Sequence, residues 1–210
     1  MKIDIYSDIA CPWCYIGKAR FEKAIAGFSG EPIEVSYHSY QLDPNAPAVA
    51  VPMYDYLAKR FGPNARAMAA RVIDTARAEG LEMDYDHGLV VNTFEAHRLL
   101  WLVDRDYGPD IQRDVVERLF RAHFAEGKNV GDVEVLTNIA LDAGTDGDRV
   151  RSFLASDEGT TELRESIALA QQMGVDAVPS YVINEKYMLQ GAQPTPVFIQ
   201  ALQQVSREAA

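Results

Sequence analysis

The chain has 210 residues, 48% of them hydrophobic and 24% charged, and its formal net charge is −11 at pH 7. These values are ordinary for a globular protein, and the acidic balance argues against a nucleic-acid partner or an anionic membrane surface. No apolar run approaches the roughly 18 residues of a membrane span, and residues 1–6 show no signal peptide. We therefore expect no membrane partner and a cytoplasmic location.

The two cysteines, Cys11 and Cys14, are separated by Pro12 and Trp13. They follow a segment predicted to be a strand, residues 2–7, and precede one with helical periodicity. At a helix N-terminus, unpaired N–H groups and the helix dipole favour a thiolate, which is the attacking species in disulfide exchange. The pattern predicts a redox dithiol in which Cys11 is the nucleophile and Cys14 the resolving thiol.

A non-catalytic role for the cysteine pair is less well supported. A structural disulfide would close too small a loop to remove much entropy from the unfolded chain. A structural zinc site needs four ligands, and the sequence offers neither a second cysteine pair nor paired spacing among its histidines, so we expect no metal. Two unrelated buried cysteines remain the commonest alternative for a random pair, but the flanking pattern argues against it.

The first forty residues are predicted to form a strand, a helix and a second strand. The strand at residues 2–7 precedes a helix from Pro12 to about residue 28, and residues 33–40 alternate apolar and polar side chains. This order predicts a βαβ unit with parallel strands.

A proline-containing linker, residues 42–52, separates this unit from a long helical region. Apolar periodicity predicts helices at residues 53–61, 66–79, 92–107, 111–127, 132–140 and 157–173, with a loop over residues 81–91. The acidic run at residues 142–148 lacks the spacing of a calcium loop and is predicted to be a turn and a helix cap.

The last segment is predicted to be a strand, a strand and a helix. Pro179 follows Val178 and precedes the β-favouring run 180–183, a position where a strand tolerates the missing N–H of proline. Residues 184–186 are predicted to turn the chain into a returning strand at 187–189. A closing helix carries apolar residues from 197 to 205.

This order of elements resembles the thioredoxin fold, and the long helical insertion resembles its DsbA-like branch. Three motifs together resemble the FrnE-type subgroup: SDIACPWCYIGK at 7–18, NTFEAHRL at 92–99 and GVDAVPSYVI at 174–183. The resemblance implies an α/β protein, a thioredoxin fold with a large inserted all-helical domain. It places the first part of the thioredoxin fold at 1–45, the helical domain at 46–157 and the second part at 158–210.

The resemblance also implies roles for individual residues. Cys11 and Cys14 match the nucleophilic and resolving cysteines, and Pro12 and Trp13 match the dipeptide that tunes their chemistry. Pro179 matches the cis-proline beside the dithiol. The backbone of Val178, which precedes it, would pair with an extended substrate segment.

Three further residues have two interpretations each. Asn92 and His97 match a region where related proteins bind glutathione; otherwise Asn92 is a helix N-cap and His97 a hydrogen-bonded histidine between helices. Asp4 is either a buried acid that assists proton transfer from Cys14 or an exposed strand carboxylate.

These patterns predict a thiol–disulfide oxidoreductase with a protein or small-molecule substrate and no cofactor beyond its own cysteine pair. An alternative is a glutathione-dependent isomerase or transferase, because 2-hydroxychromene-2-carboxylate isomerases and kappa-class glutathione transferases resemble this architecture. Those proteins usually carry serine at the position of Cys11, so the intact cysteine pair counts against this alternative. In such a function glutathione would be a co-substrate. A non-catalytic binding or chaperone module is a third hypothesis, and the helical insertion leaves room for a homodimer.

Overall fold

The computed structural model of the protein describes residues 1–209. Its strands are β1 (Lys2–Ser7), β2 (Glu34–Ser39), β3 (Val51–Pro52), β4 (Leu89–Val90), β5 (Ser180–Ile183) and β6 (Tyr187–Gln190). Its α-helices are α1 (Pro12–Ala26), α2 (Met53–Phe61), α3 (Ala65–Ala78), α4 (Phe94–Tyr107), α5 (Pro109–Phe124), α6 (Val133–Asp142), α7 (Gly147–Leu154), α8 (Thr160–Gln172) and α9 (Thr195–Ala209). None of these helices is long and apolar enough to cross a membrane.

The main sheet has the strand order β2-β1-β5-β6. β1 and β2 are parallel and are connected through α1, whereas β5 is antiparallel to both β1 and β6. This arrangement confirms the predicted α/β class and thioredoxin fold, with most helices lying between β2 and β5 in the chain. The domain boundaries at 45/46 and 157/158 remain predictions.

The core of the sheet follows from the alternation of side chains along its strands. Ile3 and Ile5 of β1 belong to the main hydrophobic cluster, together with Phe21 of α1 and Phe198 of α9. Tyr6, one residue on from Ile5, belongs to a second cluster with Ala170 of α8. Both faces of β1 are therefore covered, which explains why all but the first of its residues are buried.

Helix α5 covers the outer edge of the sheet. The side-chain amide of Gln112 accepts a hydrogen bond from the Tyr37 N–H at 3.0 Å and donates one to the Tyr37 carbonyl at 2.9 Å. Tyr37 lies on β2, so this side chain satisfies backbone groups that an edge strand otherwise leaves open.

The structure differs from the sequence prediction in two short strands and at several helix ends, and it agrees with the prediction at the acidic run. The two-residue strands β3 and β4 pair within segments predicted to be linker and loop. Helix α1 ends at Ala26 rather than near residue 28. The acidic run 142–148 is a turn and a helix cap, as predicted. Asp146 is the N-cap of α7, and its side chain accepts hydrogen bonds from the backbone N–H groups of Asp148 and Arg149.

Candidate functional site

The dithiol lies at the start of α1. Cys11 occupies the N-cap position and Pro12 the first turn, where the missing N–H of proline costs no hydrogen bond. The Cys11 N–H donates to the Asp8 carbonyl at 3.0 Å, and the Cys14 N–H donates to the Cys11 carbonyl at 3.0 Å. Both cysteines are buried, whereas Trp13 between them is 41% exposed. Cys11 therefore lies at the N-terminal end of α1 next to the exposed ring of Trp13, and Cys14 lies one turn further into the helix.

Burial raises the pKa of the Cys14 thiol well above its ordinary value, and the neighbouring Cys11 sulfur adds to this rise. A hydrogen bond with the Ser7 hydroxyl opposes the change without reversing it. Cys14 is therefore a protonated thiol at neutral pH. Cys14 must lose this proton before it can attack a disulfide, because the thiolate is the attacking species.

A proline loop faces the dithiol from the other half of the chain. The Val178–Pro179 peptide bond is cis, as the resemblance implied. The Cys11 thiol lies 3.8 Å from the Val178 carbonyl oxygen, to which it donates a weak hydrogen bond. The structure thus brings Cys11 beside Val178, although the two residues are 167 positions apart in sequence.

Gly17 allows α1 to approach this loop closely. A Cβ atom at position 17 would lie 2.7 Å from the Tyr181 hydroxyl oxygen and 2.9 Å from Cγ of Pro179, both closer than real side chains pack. We expect Gly17→Ala to lower the free energy of unfolding by roughly 1–3 kcal/mol, the usual cost of overpacking. Urea denaturation would measure it. Gly27→Ala is the control, because a Cβ there meets its nearest atom at an ordinary 3.7 Å; equal losses for the two variants would show that this close contact is not responsible.

The turn between β1 and α1 holds a buried carboxylate to which the sequence patterns assigned no role. Asp8 is 1% exposed. Its Oδ1 accepts hydrogen bonds from the Thr93 hydroxyl at 2.9 Å and from His97 Nε2 at 3.2 Å, and its Oδ2 accepts one from the Leu42 N–H at 2.7 Å. One side chain therefore fastens the turn before Cys11 to the linker and to the start of α4. The only feature of the local sequence that could have indicated a role for Asp8 is its position as an acidic residue directly after an apolar strand.

The charge of Asp8 is stabilised by these partners. Burial alone would raise its pKa, but the hydrogen bond and charge of His97, together with the backbone N–H groups of Leu42 and Ala10, hold the pKa below its usual range. Asp8 is therefore an ionised carboxylate at neutral pH, in the turn directly before Cys11.

An active-site cavity of about 390 Å³ opens beside the dithiol. We use this name for the space whose wall includes Cys11, Trp13, Leu57, Met68, Tyr85 and His123. Helices α2, α3 and α5 supply about half of the wall, so the helical region contributes directly to the site. No sequence pattern indicated a cavity here.

His123 is a buried histidine in this wall. Burial lowers the pKa of its imidazole to about 4, although the negative charge of Asp8 opposes the shift. Its Nδ1 has no hydrogen-bond partner among residues 1–209. His123 is therefore a neutral ring at physiological pH.

This histidine makes stability depend on pH. Between pH 6.5, its ordinary pKa, and about 4, the unfolded chain takes up a proton that the native chain does not. We expect the free energy of unfolding to fall by up to about 3 kcal/mol from this group as the pH drops through that range. His123→Phe should flatten the slope that urea denaturation gives across this pH range; an unchanged slope in His123→Phe would contradict the assignment.

Asn92 and His97 lie behind the wall of the active-site cavity. Their neighbours Val91 and Thr93 line it, whereas neither Asn92 nor His97 is among the described lining residues. His97 is buried, and its hydrogen bond goes to Asp8 in the turn before α1 rather than to a neighbouring helix.

Asn92 connects the linker to α4. Its amide donates to the Pro44 carbonyl at 2.8 Å, and its oxygen accepts from the Phe94 N–H at 2.9 Å. The predicted N-cap is wrong by one residue, because Thr93 occupies that position. Asn92 satisfies the first N–H of the helix from outside it.

Asp4 is not the exposed carboxylate that one interpretation predicted. It is 6% exposed, and its carboxylate lies 2.8 Å from His38 Nε2 and 3.4 Å from Lys2 Nζ. Its assistance to Cys14 remains a prediction. Within residues 1–209, no three His, Cys, Asp or Glu side chains cluster closely enough to hold a metal ion.

A thioredoxin fold with a dithiol at the first helix and a cis-proline facing it defines the class of protein. The family model of the DSBA-like thioredoxin domain matches residues 2–203, and the chain belongs to this family. Members of the family are oxidoreductases or isomerases that act on thiols and disulfides.

The chain is similar to several known proteins along nearly its whole length. A probable DsbA oxidoreductase from Streptomyces coelicolor is 37% identical, with a TM-score of 0.89 over 97% of this chain and 89% of that one. The uncharacterized protein YwbO of Bacillus subtilis is 28% identical over 208 residues, 96% of each chain. A 2-hydroxychromene-2-carboxylate isomerase shares the fold at a TM-score of 0.72 and 16% identity, covering 100% of this chain and 98% of that one.

Proposed function

We propose that this protein is a thiol–disulfide oxidoreductase in which Cys11 attacks and Cys14 resolves. The observation that carries the proposal is the placement of Cys11 at the N-terminus of α1, 3.8 Å from the carbonyl oxygen that precedes cis-Pro179, with Cys14 buried one turn behind it. Free N–H groups at a helix N-terminus stabilise an attacking thiolate.

The exchange proceeds in two displacements. The Cys11 thiolate attacks one sulfur of a substrate disulfide, which breaks that bond and releases the other sulfur as a thiolate. Cys14 then gives its proton to this thiolate and attacks the Cys11 sulfur, which releases the second substrate sulfur as a thiolate that is protonated from water and leaves a Cys11–Cys14 disulfide. Two electrons pass from the protein to the substrate, so no group beyond the cysteine pair is needed; the same steps in reverse oxidise a dithiol.

The other site residues support this chemistry. The cis-proline loop leaves the Val178 backbone beside Cys11, where an extended peptide could pair with it. Pro12 and Trp13 separate the two sulfurs, and Trp13 adds no positive charge beside the thiolate. A cytoplasmic location is part of the proposal, because a lone catalytic dithiol is the cysteine usage expected in a reducing compartment.

Redox titration of the Cys11–Cys14 pair tests the proposal. The protein is equilibrated in glutathione buffers, alkylated, and weighed by mass spectrometry. We expect one reversible two-electron transition between about −270 and −120 mV, the span of such dithiols. Absence of a transition, or a Cys11–glutathione adduct that never resolves, would refute it.

The similarity in fold to an isomerase motivates the second candidate, a glutathione-dependent isomerase or transferase. In that function glutathione would be a bound co-substrate and Cys14 would be dispensable. Saturable glutathione binding to the Cys14→Ala variant, measured by calorimetry, would favour it over the oxidoreductase.

A further inference from the structure

The wall of the active-site cavity consists largely of carbon atoms. Its charged side chains already have hydrogen-bond partners, and Nδ1 of His123, a neutral ring, is the buried polar atom of the described wall that has none. Asp8 is occupied by Thr93, His97 and backbone N–H groups. At the opposite side of the cavity, Asp43 accepts hydrogen bonds from Arg60 and from the Tyr56 hydroxyl. A strongly polar ligand would have to break these pairs, whereas an apolar ligand leaves them intact.

The entrance is apolar as well. Trp13 is 41% exposed, Phe61 47% and Met68 48%, and all three line the cavity. Large apolar side chains at a rim beside a reactive sulfur mark a binding surface rather than part of the core. The volume of about 390 Å³ lies in the range of pockets for small molecules, about 300–1,000 Å³.

The cavity is separate from the peptide-pairing edge. Val178 and Pro179 are absent from its wall in the described part of the chain, whereas Cys11 lines the cavity and also contacts the Val178 carbonyl oxygen. A group bound to Cys11 can therefore enter the cavity without pairing with the Val178 backbone.

Glutathione disulfide is a poor match to this space. Each half carries two carboxylates and an ammonium group, and burying such charges requires partners. Arg60 is the one lysine or arginine in the described wall, and it is paired with Asp43. The carboxylates of Asp8 and Asp43, in a chain of net charge −11, would repel those of glutathione.

We propose that the active-site cavity binds the apolar body of a low-molecular-weight disulfide, which Cys11 and Cys14 reduce. The inference rests on the proposed function and names its substrate class. Cys11 forms a mixed disulfide with one half of the substrate and releases the other as a thiol. Cys14 then displaces the second half, so that two protein thiols become a disulfide and one substrate disulfide becomes two thiols.

Single-turnover kinetics of the reduced protein test this proposal. Dibenzyl disulfide, bis(2-hydroxyethyl) disulfide and glutathione disulfide serve as probes, and each rate constant is divided by that of the same probe with a small free thiol. We expect the normalised rate for dibenzyl disulfide to exceed the other two by at least about tenfold, the discrimination that an apolar pocket gives to an apolar group.

Two variants test whether the preference for dibenzyl disulfide arises in the cavity. Ala69→Phe fills the wall on α3, and Met68→Glu puts a charge at the exposed rim, where folding tolerates it. Each should reduce the dibenzyl preference to less than about threefold, because the apolar space is filled or made polar. Ala67→Phe, on the exposed face of the same helix and outside the wall, should keep the full preference.

The outcomes separate this inference from the proposed function. If the wild-type protein reacts with all three probes but shows no preference for dibenzyl disulfide, the substrate class is wrong and the oxidoreductase stands. A preference that persists in both Ala69→Phe and Met68→Glu would also overturn the assignment to this cavity. If no probe oxidises the cysteine pair, the proposed function itself fails.

Discussion

Replacing Cys11 with serine is expected to reduce the rate of disulfide exchange by more than about 10³-fold, because the variant has no sulfur to form the mixed disulfide. Cys14→Ser keeps the nucleophile and loses the resolving thiol. It should form one stable adduct with a substrate disulfide and then stop. Stopped-flow exchange with a model disulfide and intact-mass analysis would measure both effects.

The Cys14→Ser variant is the matched control for this experiment, since both substitutions remove one buried sulfur from the same turn. Melting temperatures of the two variants show whether either loss reflects unfolding. Rapid turnover by a folded Cys11→Ser variant, or an adduct on Cys14 in the wild type, would reverse the assignment of the two cysteines.

Replacing Asp8 with alanine is expected to lower the free energy of unfolding by about 3–5 kcal/mol, the cost of removing one partner from a buried charged network. The substitution leaves the Thr93 hydroxyl, the His97 ring and the Leu42 N–H without their acceptor. Urea denaturation at pH 7 measures the loss. The rate of disulfide exchange should fall as well, because the turn that carries Cys11 loses its attachment to the linker and to α4.

The expected loss depends on pH. The folded-state pKa of Asp8 lies below its ordinary value, so its contribution is complete above about pH 4 and is lost as the pH falls through the folded-state value. The difference between wild type and Asp8→Ala should therefore be constant near neutrality and shrink in strong acid. A difference that grows on acidification would contradict an ionised Asp8.

An exposed aspartate–histidine pair offers a control. Asp84 lies 2.7 Å from His87 Nδ1 on the surface. Water screens such a pair and replaces its hydrogen bonds, so Asp84→Ala should cost far less than Asp8→Ala. If the two variants lose similar stability, the buried network around Asp8 is not what holds the turn.

Local sequence patterns were enough to predict most of the helices and strands. The helices carry apolar stripes, and β1, β2 and the β5–β6 hairpin carry alternation or a proline-led apolar run, so their existence and order could be inferred. The position of Cys11 at a helix N-terminus also follows from its immediate neighbours. The short strands β3 and β4 could not be predicted, because two residues carry no periodicity.

Long-range partnerships were beyond the reach of these patterns. Asp8 binds Thr93 and His97, which are 85 and 89 residues away. Nothing near Asp8 indicates which distant residues will face it. The active-site cavity was missed for the same reason. Leu57, Met68 and Phe124 are each an apolar residue within a different helix, and nothing in the local sequence of those helices indicates a cavity. The space forms only where α2, α3 and α5 pack against the dithiol turn.

The hydrogen bonds from Gln112 to β2 limit how this sheet can grow. An open edge strand invites a second chain to extend the sheet, which is a common route to dimers and to aggregation. Here the amide of Gln112 occupies the Tyr37 N–H and carbonyl that an incoming strand would need. A second copy that joined by sheet extension would therefore have to add at β6, the opposite edge, and the two sheets would meet through their C-terminal hairpins.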